Sequence, residues 1–430
     1  LSLKFDEGVG IGGEYGPYVQ SERKDLYAPY AHKLVELGGA HYCFCSEREK
    51  QVDEDGNEII SKFEDPCKHL SLDEAKKRVA AGEPYVIRQT INKKGKSKYE
   101  DKVYGTIEID YDELDEGVLL KSDGFPTYNF ANVIDDHLMN VTHVVRGSEY
   151  LPSTPKYNLM YDTFGWERPV YVHLPPVMKD ATHKLSKRDG DRLGFPVFPL
   201  QWVNSEGEVS RGYREDGYFP EAFVNLLAML GWNPGTEQEL FTLEELVGAF
   251  SLERVIKSGA RFNADKAKWY NKEYLRMKSV SELTDLYMPV LESKGINASR
   301  EYVEKVVALI QERATFVADF WDIAPYLFVA PTSFVEKDAA KFWKEENYTL
   351  ALKVADFIMN FEGEFTKENL EGPLEEYIRG NEWPMGKVMN CLRLAMVGGS
   401  NGLGIADIVT LIGKEEFAKR IEFIKTTLGC

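Results

Sequence analysis

The chain has 430 residues, 43% hydrophobic and 28% charged, which is enough apolar material for sizeable cores and excludes disorder as its default state. Its formal net charge of −18 argues against a general nucleic-acid-binding protein but allows a local basic groove on an acidic body. The sequence contains no apolar run of about 18 residues, so no membrane helix is predicted. Five cysteines are too few for a disulfide scaffold and favour a reducing cytosol.

The first 110 residues predict loops, one helix and two strands. Residues 6–20 are rich in glycine and predict a loop. Residues 21–37 have the apolar spacing of a helix, within which Pro29 predicts a kink or a break. Strands are predicted at 86–91 and 104–109 from their β-branched and aromatic residues.

The remaining chain changes from an α/β to a helical pattern. Residues 120–190 alternate strands and helices as in a parallel α/β unit, and Val170–Met178 is predicted to be a buried strand. Pro220–Leu230 has a helical pattern with proline at its start and glycine after its end. Most of 240–430 has helical periodicity.

A short basic segment follows the predicted buried strand. Lys184–Arg188 places two lysines and one arginine around a serine. Ammonium groups in such a loop suit the triphosphate of ATP, because they neutralise charge that develops on a pyrophosphate leaving group. A solvated basic turn is the alternative interpretation.

Three cysteines and one histidine form two close pairs. Cys43 and Cys45 are separated by one residue, as are Cys67 and His69, and about twenty residues lie between the pairs. Three thiolates and one imidazole make the closed tetrahedral shell of a structural zinc site. His41 is a less favoured substitute ligand, and three free cysteines with a surface histidine remain the alternative.

Three polar residues suggest a site for a small polar ligand. Tyr128 and Asn132 are four residues apart and would share a helical face. Arg146 follows an apolar strand and precedes Gly147, where a guanidinium can hold a carboxylate bidentately. Taken alone, a polar surface stripe and a surface ion pair remain open as alternatives.

In sum these blocks resemble the bacterial-type glutamyl-tRNA synthetases, which are class I aminoacyl-tRNA synthetases. The basic segment matches the KMSKS signature of that class in its KLSKR form. Further matching segments appear in the family's order along nearly the whole chain: Gly16–Arg23, Cys43–His69, Asp123–Arg188, Gly217–Ala222, Leu230–Trp232, Met385–Met389 and Leu392–Ala395.

The resemblance implies an α/β Rossmann-type class I synthetase catalytic domain with an inserted acceptor-stem domain, followed by all-α stem-contact and anticodon-binding domains. The corresponding ranges are 1–23 with 119–190 for the catalytic domain, 24–118 for the zinc-bearing insert, 191–278 for the stem-contact domain and 279–430 for the anticodon-binding region. The segment 193–214 has no implied role, and a surface decoration is its simplest interpretation.

The resemblance also implies roles for individual residues. Lys187 would steady the triphosphate, within a catalytic loop that also contains Lys184, Ser186 and Arg188. Glutamate would be bound by Tyr128, Asn132 and Arg146, and adenine by His173, Leu174 and Val177. Structural zinc would be bound by Cys43, Cys45, Cys67 and His69.

The implied activity is that of a glutamate–tRNA ligase, an enzyme. It would activate L-glutamate with ATP and Mg²⁺ and transfer it to tRNA(Glu), with tRNA(Gln) as a second candidate. A cytoplasmic monomer that needs no membrane is expected.

The family's HIGH signature does not occur in this sequence, whose numbering is expected to begin after it. Three alternatives remain at this point. One is a glutamyl-queuosine tRNA(Asp) synthetase, which would resemble the catalytic half but lack an anticodon-binding region. The others are a glutaminyl-tRNA synthetase, which would end in β-barrels, and a non-catalytic tRNA-binding paralogue.

Overall fold

The computed structural model describes residues 1–45, 65–186, 189–190, 192 and 194–429. Their contacts divide the chain into two compact units. The first unit comprises residues 1–186 and 227–262, and the second comprises 187–226 and 263–430. No helix of the described ranges is both long enough and apolar enough to cross a membrane.

The described strands are short and lie mainly in the first unit. They are β1 Ala40–Cys43, β2 Val86–Gln89, β3 Lys96–Asp101, β4 Gly105–Asp110, β5 Val118–Leu120, β6 His143–Gly147, β7 Val170–Leu174, β8 Val177–Met178, β9 Trp202–Val203, β10 Val209–Ser210 and β11 Ala260–Arg261. The first four helices are α1 Lys24–Glu36, α2 Leu72–Ala80, α3 Tyr128–Leu138 and α4 Thr154–Phe164.

A four-stranded sheet with the order β4-β3-β7-β6 contains the parallel part of the first unit. β6 and β7 are parallel, with α4 between them in the chain, which confirms the predicted α/β alternation. β3 joins β7 in parallel through Asp101 and Tyr171, and β4 pairs antiparallel with β3. β5 belongs instead to a second, antiparallel sheet with the order β1-β2-β5.

The core of the first unit lies between α1, α3, α4 and the β1-β2-β5 sheet. α1 contributes Tyr27, Ala31 and Leu34, whose spacing puts them on one helical face, and α3 contributes Phe130 and Ile134. All five are fully buried or nearly so. Each large apolar side chain buried in this way contributes about 1.5–3 kcal/mol.

The stretch Val170–Met178 is two strands rather than the single strand predicted from its apolar pattern. β7 ends at Leu174, because Pro175 and Pro176 have no N–H to donate to a neighbouring strand. β8 then pairs in parallel with β11, through Val177 opposite Ala260.

α1 is one continuous helix through Pro29, so the break predicted there as one of two outcomes does not occur. Pro29 lies in the second turn, where its missing N–H removes one hydrogen bond, and the buried face of the helix compensates for that loss. The predicted strands at 86–91 and 104–109 are observed as β2 and β4, with bounds shifted by one or two residues.

The chain after residue 219 is mostly helical, as predicted. Its helices are Pro220–Met229, Leu243–Ala249, Ala264–Met277, Val280–Ser293, Arg300–Ile310, Asp319–Ile323, Glu336–Phe342, Glu345–Met359, Lys367–Gly380, Met385–Val397 and Ile405–Leu428. Gly413 has a φ of 79° inside the last span, which therefore consists of two helical segments. Buried Arg420 donates to the carbonyl oxygens of Tyr326 and Met396, each at 2.8 Å.

The segment 193–214, which had no implied role, contains a small hairpin of β9 and β10. Asn204 closes its turn, because Oδ1 accepts hydrogen bonds from the backbone N–H groups of Glu206 and Glu208 at 2.9 and 2.8 Å. Together with β11, this hairpin adds short strands to the range 191–278, for which only helices were expected.

Candidate functional site

Three polar side chains lie in one row at the carboxyl ends of neighbouring strands. Arg146 is next to last in β6 and stands directly opposite His173 of β7. Asp101 is the last residue of β3, on the other side of β7. Open α/β sheets bind their ligands at the carboxyl ends of parallel strands. This edge therefore presents a cation, an imidazole and a carboxylate where a ligand site is expected.

The guanidinium of Arg146 is held from two directions. Its Nε donates to His173 Nε2 at 3.1 Å, and its Nη2 donates to Thr154 Oγ1 at 3.0 Å. Its carbon also lies 5.0 Å from the ring centre of Tyr150 and 4.8 Å from that of Tyr157. Nη1 has no acceptor among the residues that the structure describes. The guanidinium can therefore bind a carboxylate without losing its supports.

α3 brings Tyr128 and Asn132 to the same place. The Tyr128 side chain is 51% exposed, and its ring centre lies 5.3 Å from that of Tyr150, which also contacts Arg146. Asn132 Nδ2 is buried and has no hydrogen-bond acceptor among the residues that the structure describes. Burial raises the pKa of the neighbouring Tyr157, and the Arg146 charge and the Asn132 side chain act against that rise. We call the set formed by Tyr128, Asn132, Arg146, Tyr150 and Tyr157 the Arg146 pocket. It offers a buried donor without an acceptor beside a supported cation.

The adjacent acids Asp135 and Asp136 on α3 have different surroundings. Asp135 accepts from Arg23 Nε at 2.9 Å and from the Tyr27 hydroxyl at 2.7 Å. Burial raises the pKa of the Asp136 carboxyl to about 6, against the opposing charge of Arg146. The two carboxyls therefore do not act as a pair, in agreement with their adjacent positions on one helix.

The basic segment begins on a hairpin that follows β8. Leu185 N donates to Val177 O at 2.8 Å, and Lys179 N donates to His183 O at 3.0 Å. Asp180 closes the turn, because its Oδ1 accepts from the backbone N–H groups of Thr182 and His183 at 2.9 and 2.8 Å. These hydrogen bonds lower the pKa of Asp180. The side chains of Lys184 and Ser186 are exposed, whereas Lys187 and Arg188 lie outside the described residues.

The three residues predicted to contact adenine differ in accessibility. His173 is completely buried, and both of its ring nitrogens face protein groups, so any contact with a nucleotide would involve its main chain. Leu174 is 37% exposed at the end of β7, and Val177 is half-buried at the start of β8. Leu174 therefore offers the more accessible apolar side chain.

The three predicted cysteine ligands lie together beside β1. The sulfurs of Cys43, Cys45 and Cys67 and a carboxylate oxygen of Asp65 all lie within 4.8 Å of one another. The Cys45 and Cys67 sulfurs are 3.7 Å apart. Tetrahedral zinc with Zn–S bonds of about 2.3 Å requires sulfurs about 3.8 Å apart. The Cys45–Cys67 pair has this spacing, and the Cys43 sulfur lies close enough to complete a three-thiol set.

The structure and the sequence pattern indicate different residues as the fourth ligand. His69 is exposed and is not a member of this group, whereas Asp65 is buried within it. Asp65 also accepts from His41 Nε2 at 3.1 Å, which gives His41 a position next to the cluster. Burial raises the pKa of the Cys43 thiol, and that of Cys45 to about 12. A cation would favour the thiolates that burial disfavours.

Comparisons with known proteins match both parts of the chain. Residues 2–269 match the model of the catalytic domain of class I tRNA synthetases (E and Q), and residues 282–425 match an anticodon-binding domain. The glutamate–tRNA ligase of Flavobacterium johnsoniae is 46% identical over 433 residues, which cover 98% of this chain and 86% of that relative. That of Parabacteroides distasonis is 44% identical over 437 residues, which cover 98% of this chain and 86% of that relative.

This chain belongs to the glutamate–tRNA ligase family of class I tRNA synthetases. Solved structures agree with this membership. The crystal structure of a glutamate tRNA ligase from Elizabethkingia meningosepticum in complex with its amino acid superimposes with a TM-score of 0.92 at 38% identity, covering 98% of this chain and 86% of that one. The glutamate–tRNA synthetase of Elizabethkingia anophelis gives 0.90 at 37% identity with the same coverage.

Family membership confirms the resemblance and the fold class predicted from the sequence. The match to an anticodon-binding domain over 282–425 also argues against the glutamyl-queuosine alternative, which was expected to lack such a region. Tyr128, Asn132 and Arg146 are brought together by the structure around Tyr150 and Tyr157. Sequence reasoning gave those two tyrosines no role, although both lie within twelve residues after Arg146.

Proposed function

We propose that the protein activates L-glutamate with ATP and transfers the glutamyl group to the 3′ end of tRNA(Glu). A carboxylate oxygen of glutamate attacks the α-phosphorus, and the bond to pyrophosphate breaks. A ribose hydroxyl of the tRNA then attacks the carbonyl carbon of the adenylate, and AMP leaves. The supported guanidinium of Arg146 carries this proposal, because it can bind a carboxylate with the donors that its neighbours leave available.

In this proposal the Arg146 pocket binds the amino acid. Arg146 pairs with one carboxylate of glutamate, and Asn132 Nδ2, a buried donor without an acceptor, receives an acceptor from the ligand. The exposed phenol of Tyr128 forms the outer side of the pocket. An unpaired buried donor costs about 1–3 kcal/mol, so a ligand that satisfies it gains affinity.

The nucleotide is proposed to bind next to this pocket. Lys187 would steady the triphosphate, together with Lys184, Ser186 and Arg188 of the same segment. The exposed positions of Lys184 and Ser186 support this role. Adenine would lie against Leu174 and Val177, with His173 contributing its main chain. Mg²⁺ would accompany ATP and neutralise phosphate charge.

Zinc is proposed as a structural metal at Cys43, Cys45 and Cys67. The sulfur spacing supports this choice, and the fourth ligand is either Asp65 from the observed group or His69 from the sequence pattern. Zinc bound there would join β1 to the short helix Pro66–His69.

The remaining proposals rest on family membership. The ranges 1–23 with 119–190, 24–118, 191–278 and 279–430 are retained as domain boundaries for the catalytic, acceptor-stem, stem-contact and anticodon-binding parts. tRNA(Gln) is retained as a second candidate substrate. A cytoplasmic monomer is the proposed state.

The decisive experiment is ATP–pyrophosphate exchange that depends on glutamate. We expect exchange only when tRNA is present, and its absence with tRNA(Glu) would contradict the proposed activity. Lys187→Ala should abolish exchange but leave tRNA binding unchanged, because the positive charge that it removes is proposed to contact only the triphosphate. Lys4→Ala, which removes an exposed lysine outside the ranges proposed to contact tRNA, is the matched control and should change neither.

A further inference from the structure

The hydrogen bonds of Arg146 determine where His173 carries its proton. An arginine Nε can only donate, so His173 Nε2 must accept at 3.1 Å. The Thr154 hydroxyl gives its single proton to Tyr150 O at 2.9 Å and accepts from Arg146 Nη2, so it places no proton on the imidazole. The imidazole is therefore neutral and protonated on Nδ1, which lies 2.7 Å from Asp101 Oδ2.

Asp101 is placed to fix that tautomer. Its Oδ2 accepts from Nδ1 and from the backbone N–H of His173, the latter at 3.1 Å. Its Oδ1 accepts from the backbone N–H groups of Val103 and Tyr104 at 2.9 and 2.8 Å. Both side chains of the pair are completely buried. Four donors converge on two oxygens, so a carboxylate satisfies this position and an amide cannot.

From this geometry we propose that Asp101 and His173 are positioning residues, which orient the Arg146 guanidinium for a carboxylate of the bound amino acid. The inference rests on the proposed function, in which Arg146 binds glutamate. Neither Asp101 nor His173 would touch the carboxylate itself. Their effect passes through one hydrogen bond, from Arg146 Nε to His173 Nε2.

The Asp101→Asn variant tests whether the Asp101 carboxylate fixes the tautomer of His173. If the asparagine oxygen stays with Val103 and Tyr104, its NH₂ group faces His173 Nδ1 and moves the proton to Nε2. Nε2–H would then meet the Nε–H of Arg146, and two donors would oppose each other. An Asp→Asn change behind a histidine is known to disable a site by selecting the wrong tautomer. We expect the KM for glutamate to rise about tenfold while kcat and the KM for ATP stay unchanged.

Two variants of His173 separate positioning from packing, because each places an amide in the same buried space. Gln extends as far as Nε2 and can still accept from Arg146, whereas Asn extends only as far as Nδ1 and leaves Arg146 Nε unpaired. His173→Gln should therefore retain a KM for glutamate within about threefold of the parent. His173→Asn should raise the KM to the level of Asp101→Asn.

The assay is tRNA-dependent ATP–pyrophosphate exchange at varied glutamate and ATP concentrations, with Arg146→Lys as a control for the pocket. If Arg146→Lys leaves the KM for glutamate unchanged, the proposed function of the pocket is wrong. If Arg146→Lys raises this KM but Asp101→Asn and His173→Asn lower only kcat, the pair acts on folding and the inference is overturned. Equal KM values for the two His173 variants would also overturn it. Should Asp101→Asn fail to fold, the His173 variants alone decide.

Discussion

Replacing Asn132 with leucine should weaken glutamate binding and at the same time stabilise the folded protein. Leucine has the same branched heavy-atom skeleton as asparagine, with somewhat larger terminal groups and no polar atoms. Without a ligand, Asn132 Nδ2 is buried and has no acceptor within the described part of the chain, and leucine removes this unfavourable group. With glutamate bound, the same donor is proposed to be satisfied, so leucine removes a favourable contact.

The two effects should have similar size and opposite sign. An unsatisfied buried donor costs about 1–3 kcal/mol, which bounds the expected gain in the free energy of unfolding. The same bond, formed to a ligand, is worth about 1–3 kcal/mol of affinity, or about a 5- to 150-fold rise in the KM for glutamate. Since residue 132 lies in the first unit, the gain should appear in the unfolding transition of that unit.

Two measurements on one protein sample test this prediction. Thermal unfolding followed by calorimetry, without ligand, reports the stability of the unit that contains α3. Exchange kinetics at varied glutamate report the KM. If the leucine variant is less stable and its KM is unchanged, Asn132 is an ordinary packing residue and the reasoning about the pocket is refuted.

Asn129→Leu is the matched control on the same helix. Asn129 Oδ1 accepts from the hydroxyl of Tyr157 at 2.7 Å, so this substitution breaks an existing hydrogen bond and removes the acceptor of a buried hydroxyl. We expect it to destabilise the unit by about 1–3 kcal/mol. The pair of variants therefore separates a satisfied amide from an unsatisfied one three positions away.

Two further predictions concern metal and pH. Elemental analysis should find about one zinc per chain, and the Cys67→Ser variant should lose it. Comparing the zinc content of Asp65→Ala with that of His69→Ala then identifies the fourth ligand. Full retention of zinc by Cys67→Ser would contradict the proposed site. The Asp136 carboxyl has a pKa of about 6, above its ordinary 3.8, so stability is lost as pH rises between these values. Asp136→Asn should stabilise the protein by up to about 3 kcal/mol at about pH 7 and have little effect at about pH 4 in urea unfolding, and equal effects at both would exclude this titration.

Local patterns predicted much of the fold and some of the site. The spacing of Tyr128 and Asn132 predicted a shared helical face, and α3 provides it. Arg146 before Gly147 predicted a strand end at a ligand edge, and β6 ends there. Both are properties of a few consecutive residues, in which helical and strand periods are expressed directly.

The partners of Arg146 could not be predicted in this way. Asp101 and His173 are 72 positions apart in sequence and meet only because β3 pairs with β7. No periodicity within either strand indicates which distant strand will lie beside it. Asp65 was missed for a similar reason, because the sequence pattern of metal ligands directed attention to His69.

The pairing of β3 with β7 has a consequence for synthesis on the ribosome. At about 5–20 residues per second, Asp101 waits about 4–14 s before His173 has been added to the nascent polypeptide. During this interval one edge of β3 has no partner and is open to aggregation with other nascent chains. β3 alternates exposed Lys96, Lys98 and Glu100 with Ser97, Tyr99 and Asp101, so only one of its six side chains is aromatic or apolar. The charged side chains of this strand therefore disfavour its association with strands of other unfinished polypeptides.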